Sequence, residues 1–417
     1  MKCSWLALMG ALAMGCSASG GAEQLGWPQW RGPQRDGRLI GFTVPRALPS
    51  NLVKRWERKI GEGHSSPVTS GGRAFVLTRE GDVEVTSCME LKSGKLVWQD
   101  RTPAPFDSVI FPARRLGKSP RSTPLVHQGK LYVIGVNGST RCLNAQTGAA
   151  LWRRDFSIEF PTPMPICGAS LSPLIDGKKL YVHVGHDEVG AFLALDKDTG
   201  KTIWSARGEG PAYTSPQLAT LDGKRQIVTA SHNTWMGLDP ETGTLLWSIR
   251  VRQNMFNHNS ITPVVDRDVV YCGGNQRSTL ALRVKKRGNI WIADRLWETR
   301  DVTMSTSSPI LDGNRLFAVN EKRRGQLVSM DIATGRVIWA CDGDKGEQVS
   351  LYDGGTHLLA FTFDGTLLVY AKAGSTLRES ARYALLDGTT WASPAFDGNL
   401  ILVKGADTLT LWELPLN

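Results

Sequence analysis

The stretch Ala194-Leu195-Asp196-Lys197-Asp198-Thr199-Gly200-Lys201-Thr202-Ile203-Trp204 places an acidic residue, a Thr-Gly step and a tryptophan in one short run. The spacing returns as Leu91-x-Ser93-Gly94-x-x-x-Trp98, Leu143-Asn144-x-x-Thr147-Gly148-x-x-x-Trp152, Leu238-Asp239-x-x-Thr242-Gly243-x-x-x-Trp247 and Met330-Asp331-x-x-Thr334-Gly335-x-x-x-Trp339. A copy without the Thr-Gly ends in Leu296-Trp297. From Trp56 onward the successive tryptophans stand 42, 54, 52, 43, 50 and 42 residues apart. A repeat of this size is that of a four-stranded propeller blade.

A second recurrence fixes the number of blades. A Ser/Thr-Pro step opens each unit at Ser66-Pro67, Thr123-Pro124, Ser172-Pro173, Ser215-Pro216, Thr262-Pro263, Ser308-Pro309 and Ser393-Pro394, and Ser350-Leu351 fills the remaining gap. That makes eight units. Proline at the start of a strand forfeits no ladder donor, Asp-Gly at 176, 222, 312, 364 and 397 suits hairpin turns, and runs such as Leu131-Tyr132-Val133-Ile134 make strands. The last unit, Ser393 to Trp412, stops short of a fourth strand, whereas Leu52-Val53-Lys54-Arg55-Trp56 reads as an outer strand with no unit before it. The two ends should therefore share one blade, which removes the edges of an open array. The expected fold is all-β: an eight-bladed propeller of four-stranded antiparallel blades, closed by the N-terminal strand.

Composition agrees. With 417 residues, 41% hydrophobic and 21% charged, and a mean hydropathy of −0.20, the chain is neither a polytopic membrane protein nor disordered. Its 44 glycines, 21 prolines and 14 tryptophans favour short strands. Residues 1–22 read as a signal peptide: Lys2, an apolar run from Trp5 to Met14 too short to span a bilayer, then small residues. Two processing routes fit, cleavage near Ala22 or lipid attachment at Cys16 after residue 15, in a box that lacks the preferred leucine. The mature chain then divides into an arm, 23–50, and the propeller, 51–417, in the periplasm or outer cell envelope. The net charge of +10 is scattered over clusters such as Arg153-Arg154 and Lys322-Arg323-Arg324, without aromatic interleaving. Solvated loops are expected, and no nucleic-acid partner. Five cysteines remain beyond Cys3 and Cys16, with no vicinal pair and no C-x-x-C, so neither a zinc cluster nor a redox dithiol is expected.

Together these motifs resemble the PQQ-like (pyrroloquinoline-quinone-type) β-propeller repeats, whose unit carries A-x-D-x-x-T-G-x-x-x-W. The opening Trp27-Pro28-Gln29-Trp30-Arg31-Gly32-Pro33-x-x-Asp36-Gly37 is similar to the lead-in of the exported bacterial branch. The resemblance covers nearly all of the mature chain and implies two functional classes. Quinoprotein dehydrogenases hold PQQ on the axis with calcium, an aspartate base and, in many members, a disulfide of adjacent cysteines. The BamB-like class is a cofactor-free scaffold of the outer-membrane assembly machinery. This chain has no adjacent cysteines and lacks long insertions, which places it nearer the scaffold, with no catalytic residue and no cofactor expected; PQQ with calcium belongs to the alternative.

Other chemistry is weaker. Asp196-x-Asp198-x-Gly200 has the look of a calcium loop, but its equivalents Asn144, Asp239 and Asp331 sit in the same turn, so Asx-turns are expected. His183 and His186 would face opposite sides of a strand, and no metal is expected there. The tryptophans Trp56, Trp98, Trp152, Trp204, Trp247, Trp297 and Trp339 recur once per blade and should pack on the neighbouring blade. In a propeller the residues leading each inner strand converge on one mouth of the axis. They are His64, Arg121, Ser170, Tyr213, Asn257, His258, Asn259, Thr306, Gln348 and Trp391, a polar ring without Asp or Glu, suited to a small molecule or peptide. A monomeric, non-catalytic binding or scaffolding propeller is the expected function, with a protein, small-molecule or glycan partner in the envelope and membrane contact only through a lipid anchor. The alternatives are a PQQ-dependent oxidoreductase, which needs a carboxylate in the channel, and a surface glycan-binding module, whose exposed loop aromatics would be Trp235 and Trp291.

Overall fold

The computed structural model describes residues 26–106, 117–160, 167–251, 258–374 and 376–416. The expected signal peptide, residues 1–22 with Cys16, and Asn257 lie outside them. Eight four-stranded antiparallel sheets form eight blades. Their inner strands are Val68–Ser70, Leu125–His127, Leu174–Asp176, Gln217–Leu221, Val264–Asp266, Ile310–Asp312, Val349–Asp353 and Ala395–Asp397, in chain order from blade 1 to blade 8. The outer strand of blade 8 is Val53–Lys59, antiparallel to Thr408–Glu413 with Trp56 opposite Leu411. The ring is closed by pairing the two ends of the propeller.

The middle strands are buried on both faces because each sheet is covered by two neighbours. In Lys179–His186 and Val189–Asp196 only the end residues reach solvent. Outer strands such as Thr202–Gly208 are largely exposed.

The repeated tryptophan and Thr-Gly step are two halves of one contact. The indole N–H of Trp152 donates to the Lys197 carbonyl of the next blade at 2.9 Å, and a Cβ on Gly200, at φ +71°, would stand 2.7 Å from the indole ring. Glycine is required there both by conformation and by approach. The same donation runs from Trp56 to Leu91, Trp98 to Ala145, Trp204 to Pro240 and Trp297 to Ile332. Trp247 faces blade 5, which lacks the Thr-Gly turn, and its N–H turns back to Gln226 Oε1 at 2.8 Å. The Asx-turn geometry holds: Asp196 Oδ1 accepts the Asp198 and Thr199 N–H groups and the Thr199 hydroxyl, at 3.0, 2.8 and 2.9 Å.

The Ser/Thr-Pro steps stitch the blades together around the axis. Thr123 N–H donates to Ser172 Oγ, Ser172 N–H to Ser215 Oγ, Thr262 N–H to Ser308 Oγ and Ser393 N–H to Ser66 Oγ, all at 2.8 to 3.0 Å. Tyr213 N–H to the Asn259 carbonyl and Val349 N–H to Ser307 Oγ bridge two further junctions. A buried amide left without its acceptor costs about 1–3 kcal/mol. Ser215→Ala orphans the Ser172 amide and should lower the unfolding free energy by about 1–2 kcal/mol, read by urea denaturation.

One basic cluster is not a solvated loop. Arg153 pairs with Asp100 at 2.6 Å, and Asp100 with Glu84 also holds the buried Arg141, each at 3.3 Å. The network ties blade 1 to blade 2. The five cysteines among the described residues are free thiols.

Candidate functional site

Side chains alternate along each entering segment, so the residue two before the Ser/Thr of every step shares its face. Those eight positions are His64, Arg121, Ser170, Tyr213, Ser260, Thr306, Gln348 and Trp391, and all line one axial cavity of about 750 Å³. Ser260 is the one missing from the sequence reading. In that unit Asn257 falls outside the described residues, His258 lines the cavity, and Asn259 does not: it is fully buried and its amide donates to the Ser231 carbonyl at 3.0 Å. A short ribbon of His258–Asn259 with Gly274–Asn275 displaces the approach to blade 5 and brings His258 inward.

Two aromatic pairs in the wall pack edge to face. Tyr213 packs against His258 at 5.1 Å, and Trp391 against Phe363 at 5.6 Å, both T-shaped. The Tyr213 hydroxyl accepts the Cys167 N–H at 3.2 Å. Arg121 spends its guanidinium on backbone carbonyls: one Nη donates to Ser119 and Cys167, the other to Gly117. Thr306 donates to Gln348 Oε1. Burial pushes the His258 imidazole down to about 4, helped by nearby His232 and Arg277, so at neutral pH it is uncharged.

Three carboxylates also reach the cavity, against the expectation of a ring without Asp or Glu. They are Glu321, in the hairpin between the second and third strands of blade 6, and Asp344 and Glu347, in the connection from blade 6 to blade 7. Glu321 and Asp344 precede no Ser/Thr step, and Glu347 stands one residue outside the position that the Ser350 step marks, so the repeat did not single them out. Burial raises the Glu321 carboxyl above its ordinary range, and Asp344 pairs with Arg324 at 3.2 Å on the exposed rim.

The arm closes the other end. Trp30 lines the cavity, its indole N–H donating to Thr262 Oγ1 at 2.7 Å. Arg31 donates to the Pro309 carbonyl at 2.6 Å and Arg35 to the Pro173 carbonyl at 2.8 Å, on blades 6 and 3. Both arginines hold the left-handed conformation, φ 59° and 58°, which aims two buried guanidiniums in different directions from one turn. Trp27 is bonded to Thr69 of blade 1, Pro28 to Val126 of blade 2, and Gly37 and Leu39 to Asp353 of blade 7. The arm is thus an axial plug, and the cavity is a blind cup.

The other candidates disperse. Trp235 is fully buried on Thr234–Leu238, its alternate side chains packing inward, and Trp291 is half-buried on Ile290–Thr299; neither is an exposed loop aromatic. His183 is buried against Phe192, with Nε2 3.1 Å from the Glu209 carbonyl, while His186 lies beside Asp187 at the hairpin. Among the described residues no three His, Cys, Asp or Glu side chains converge as a metal-ligand set. Of the features the quinoprotein resemblance implies, adjacent thiols are absent from the cup, where Cys167 is the one cysteine among the described lining residues.

Fold and cup together define a ring-closed, axially plugged propeller that presents one blind cavity. The chain belongs to the family described as outer membrane protein assembly factor BamB, whose family model matches residues 112–341. The BamB of Shewanella oneidensis is 26% identical over 230 residues, which cover 52% of this chain and 56% of that protein. The chain spans about half the length of the curated relatives it matches first. Among solved structures, BamB from Moraxella catarrhalis aligns with a TM-score of 0.60 at 16% identity, covering 87% of this chain and 97% of that one. A quinohemoprotein alcohol dehydrogenase from Comamonas testosteroni aligns with a TM-score of 0.64 at 13% identity, covering 96% and 82%. These two likenesses show the shared fold alone.

Proposed function

We propose that this chain is an exported, monomeric, non-catalytic propeller that serves outer-membrane protein assembly in the cell envelope, with the axial cup and its bordering loops as the recognition surface. The observation that carries the reading is the blind cup, ringed by one side chain from every blade, with donors and acceptors spread around its wall and no metal-ligand set among the described residues. Such a cavity recognises and holds a guest, and its carboxylates do not gather with other ligands into a metal-binding set among the described residues. Family membership supports the assembly role, since the relatives are named for it.

The test is genetic. Deleting the chain should lower the outer-membrane content of β-barrel proteins, and wild type should restore it. Ser170→Trp, which fills the cup from a half-buried wall position, should not. Unchanged barrel content on deletion would overturn the assembly reading, and full rescue by Ser170→Trp would remove the cup from it. Adding PQQ with calcium to the purified chain should give neither a new absorbance band nor a thermal shift; saturable binding would restore the oxidoreductase.

A further inference from the structure

Given that the cup is a recognition site, on which this step rests, we propose that its ligand is an uncharged saccharide, a short glycan end inserted along the axis. The shape is right for an end-on guest. The plug makes the cavity blind, and about 750 Å³ lies within the ordinary range of small-molecule sites, about 300–1,000 Å³.

Three features select the chemistry. The wall offers three aromatic side chains: Trp30 from the plug, and Tyr213 and Trp391 from blades 4 and 8. Electron-rich ring faces suit the C–H faces of a pyranose, which are weak donors. Between the rings stand groups that exchange hydrogen bonds with hydroxyls in either direction: Ser170, Ser260, Asn275 and Gln348 donate and accept, and Glu321 accepts when ionised. The third feature is charge. The chain is strongly basic, at +10, yet the two arginines of the described wall are engaged. Arg121 is spent on three carbonyls, Arg324 on Asp344 at the rim, and His258 is neutral at physiological pH. A site for phosphate, for a peptide carboxylate or for an acidic quinone would turn guanidinium donors toward its guest. Here Arg121 is turned onto the protein backbone, Arg324 is paired with Asp344 at the exposed rim, and Glu321 and Glu347 also line the cup. A neutral polyhydroxylated ring is the guest that leaves none of these groups mismatched.

This glycan reading differs from the surface one that buried Trp235 removes. It needs no exposed ladder, because the aromatic platforms are inside the ring.

The purified chain should be titrated by calorimetry with neutral disaccharides (chitobiose, cellobiose and maltose), with inorganic phosphate and a short peptide as comparison probes. At least one disaccharide should bind saturably with a dissociation constant of about 1 mM or tighter. Trp391→Ala should weaken it at least tenfold, and Trp391→Phe, which keeps a ring on Phe363, should retain most of the affinity. Gln348→Leu should also weaken it, and an unchanged melting temperature separates a lost contact from lost folding. If no disaccharide binds, the proposal fails. Phosphate or peptide binding in place of sugar also overturns it while leaving the cup a recognition site. Failure of the cup itself would appear elsewhere, as full rescue of the deletion by Ser170→Trp.

Discussion

Replacing Trp27 with alanine will lower the unfolding free energy by about 3–5 kcal/mol, the usual cost of deleting a buried tryptophan from a core. Trp27 is 4% exposed, with its ring 5.7 Å from Tyr352 and 5.6 Å from Phe396, so one arm residue fills the seam between blades 7 and 8. Its backbone N–H donates to Thr69 Oγ1 at 2.8 Å and its carbonyl accepts from Thr69 N–H at 2.9 Å, on blade 1. Gly32 rests on the same indole, where a Cβ would lie 2.6 Å from the ring, so the turn that presents Arg31 and Arg35 is built upon Trp27. Removing the ring leaves a cavity at the point where the chain closes its circle and takes away the support of the plug. Hydrogen exchange should therefore show residues 26–39 losing protection before the blades do, while denaturant melting reports the global loss. A loss below about 1 kcal/mol, or an arm that stays protected, would mean that the plug is held by Arg31, Arg35 and Trp30 alone.

The plug also explains what a reading of residues can and cannot reach. Blade number, the closing strand and the tryptophan contacts are legible because each is a local pattern repeated at a fixed spacing: Gly200 meets Trp152 for the same reason that Gly94 meets Trp56. Most of the cup's wall is legible on the same ground, two residues before each Ser/Thr step. The ring breaks in one unit: ahead of Thr262 the sequence offers Asn257, His258 and Asn259, whereas the two-residue alternation puts Ser260 in the wall and leaves Asn259 buried. Nothing local marks the plug. Arg35 reaches a carbonyl 138 residues away and Arg31 one 278 residues away, so neither contact leaves a spacing to be read. Glu321 and Asp344 enter from a turn and a connection that belong to one blade, and a repeat cannot report what is not repeated. Trp235 shows the converse: outside the repeat register, the sequence offers it only as a candidate loop aromatic, whereas it is buried on a middle strand of blade 4.

Acid will test the interior more sharply than any single contact. His183 is 4% exposed, stacked edge-on to Phe192 with one ring nitrogen on the Glu209 carbonyl, and burial pushes its imidazole from 6.5 down to about 4. The unfolded chain takes up a proton near pH 6.5, whereas the folded chain resists it until about pH 4. Between those values the unfolded state binds more protons, so stability falls as the pH falls, and above pH 6.5 this group contributes no further change. The full window is worth about 3 kcal/mol, at about 1.4 kcal/mol for each pH unit of displacement. His258 in the cup wall, also held near 4, adds loss in the same direction, while burial-raised carboxylates such as Glu84 and Glu321 act against it. The clean measurement is therefore a difference. His183→Gln keeps an amide that can donate to the Glu209 carbonyl and removes the titration, so its stability relative to wild type should rise by about 3 kcal/mol between pH 7 and pH 4 in matched urea melts. Parallel pH profiles for the two proteins would mean that the imidazole titrates in the folded state as it does in the unfolded chain. Such a result would require water beside His183, in a strand that neighbouring blades cover on both faces.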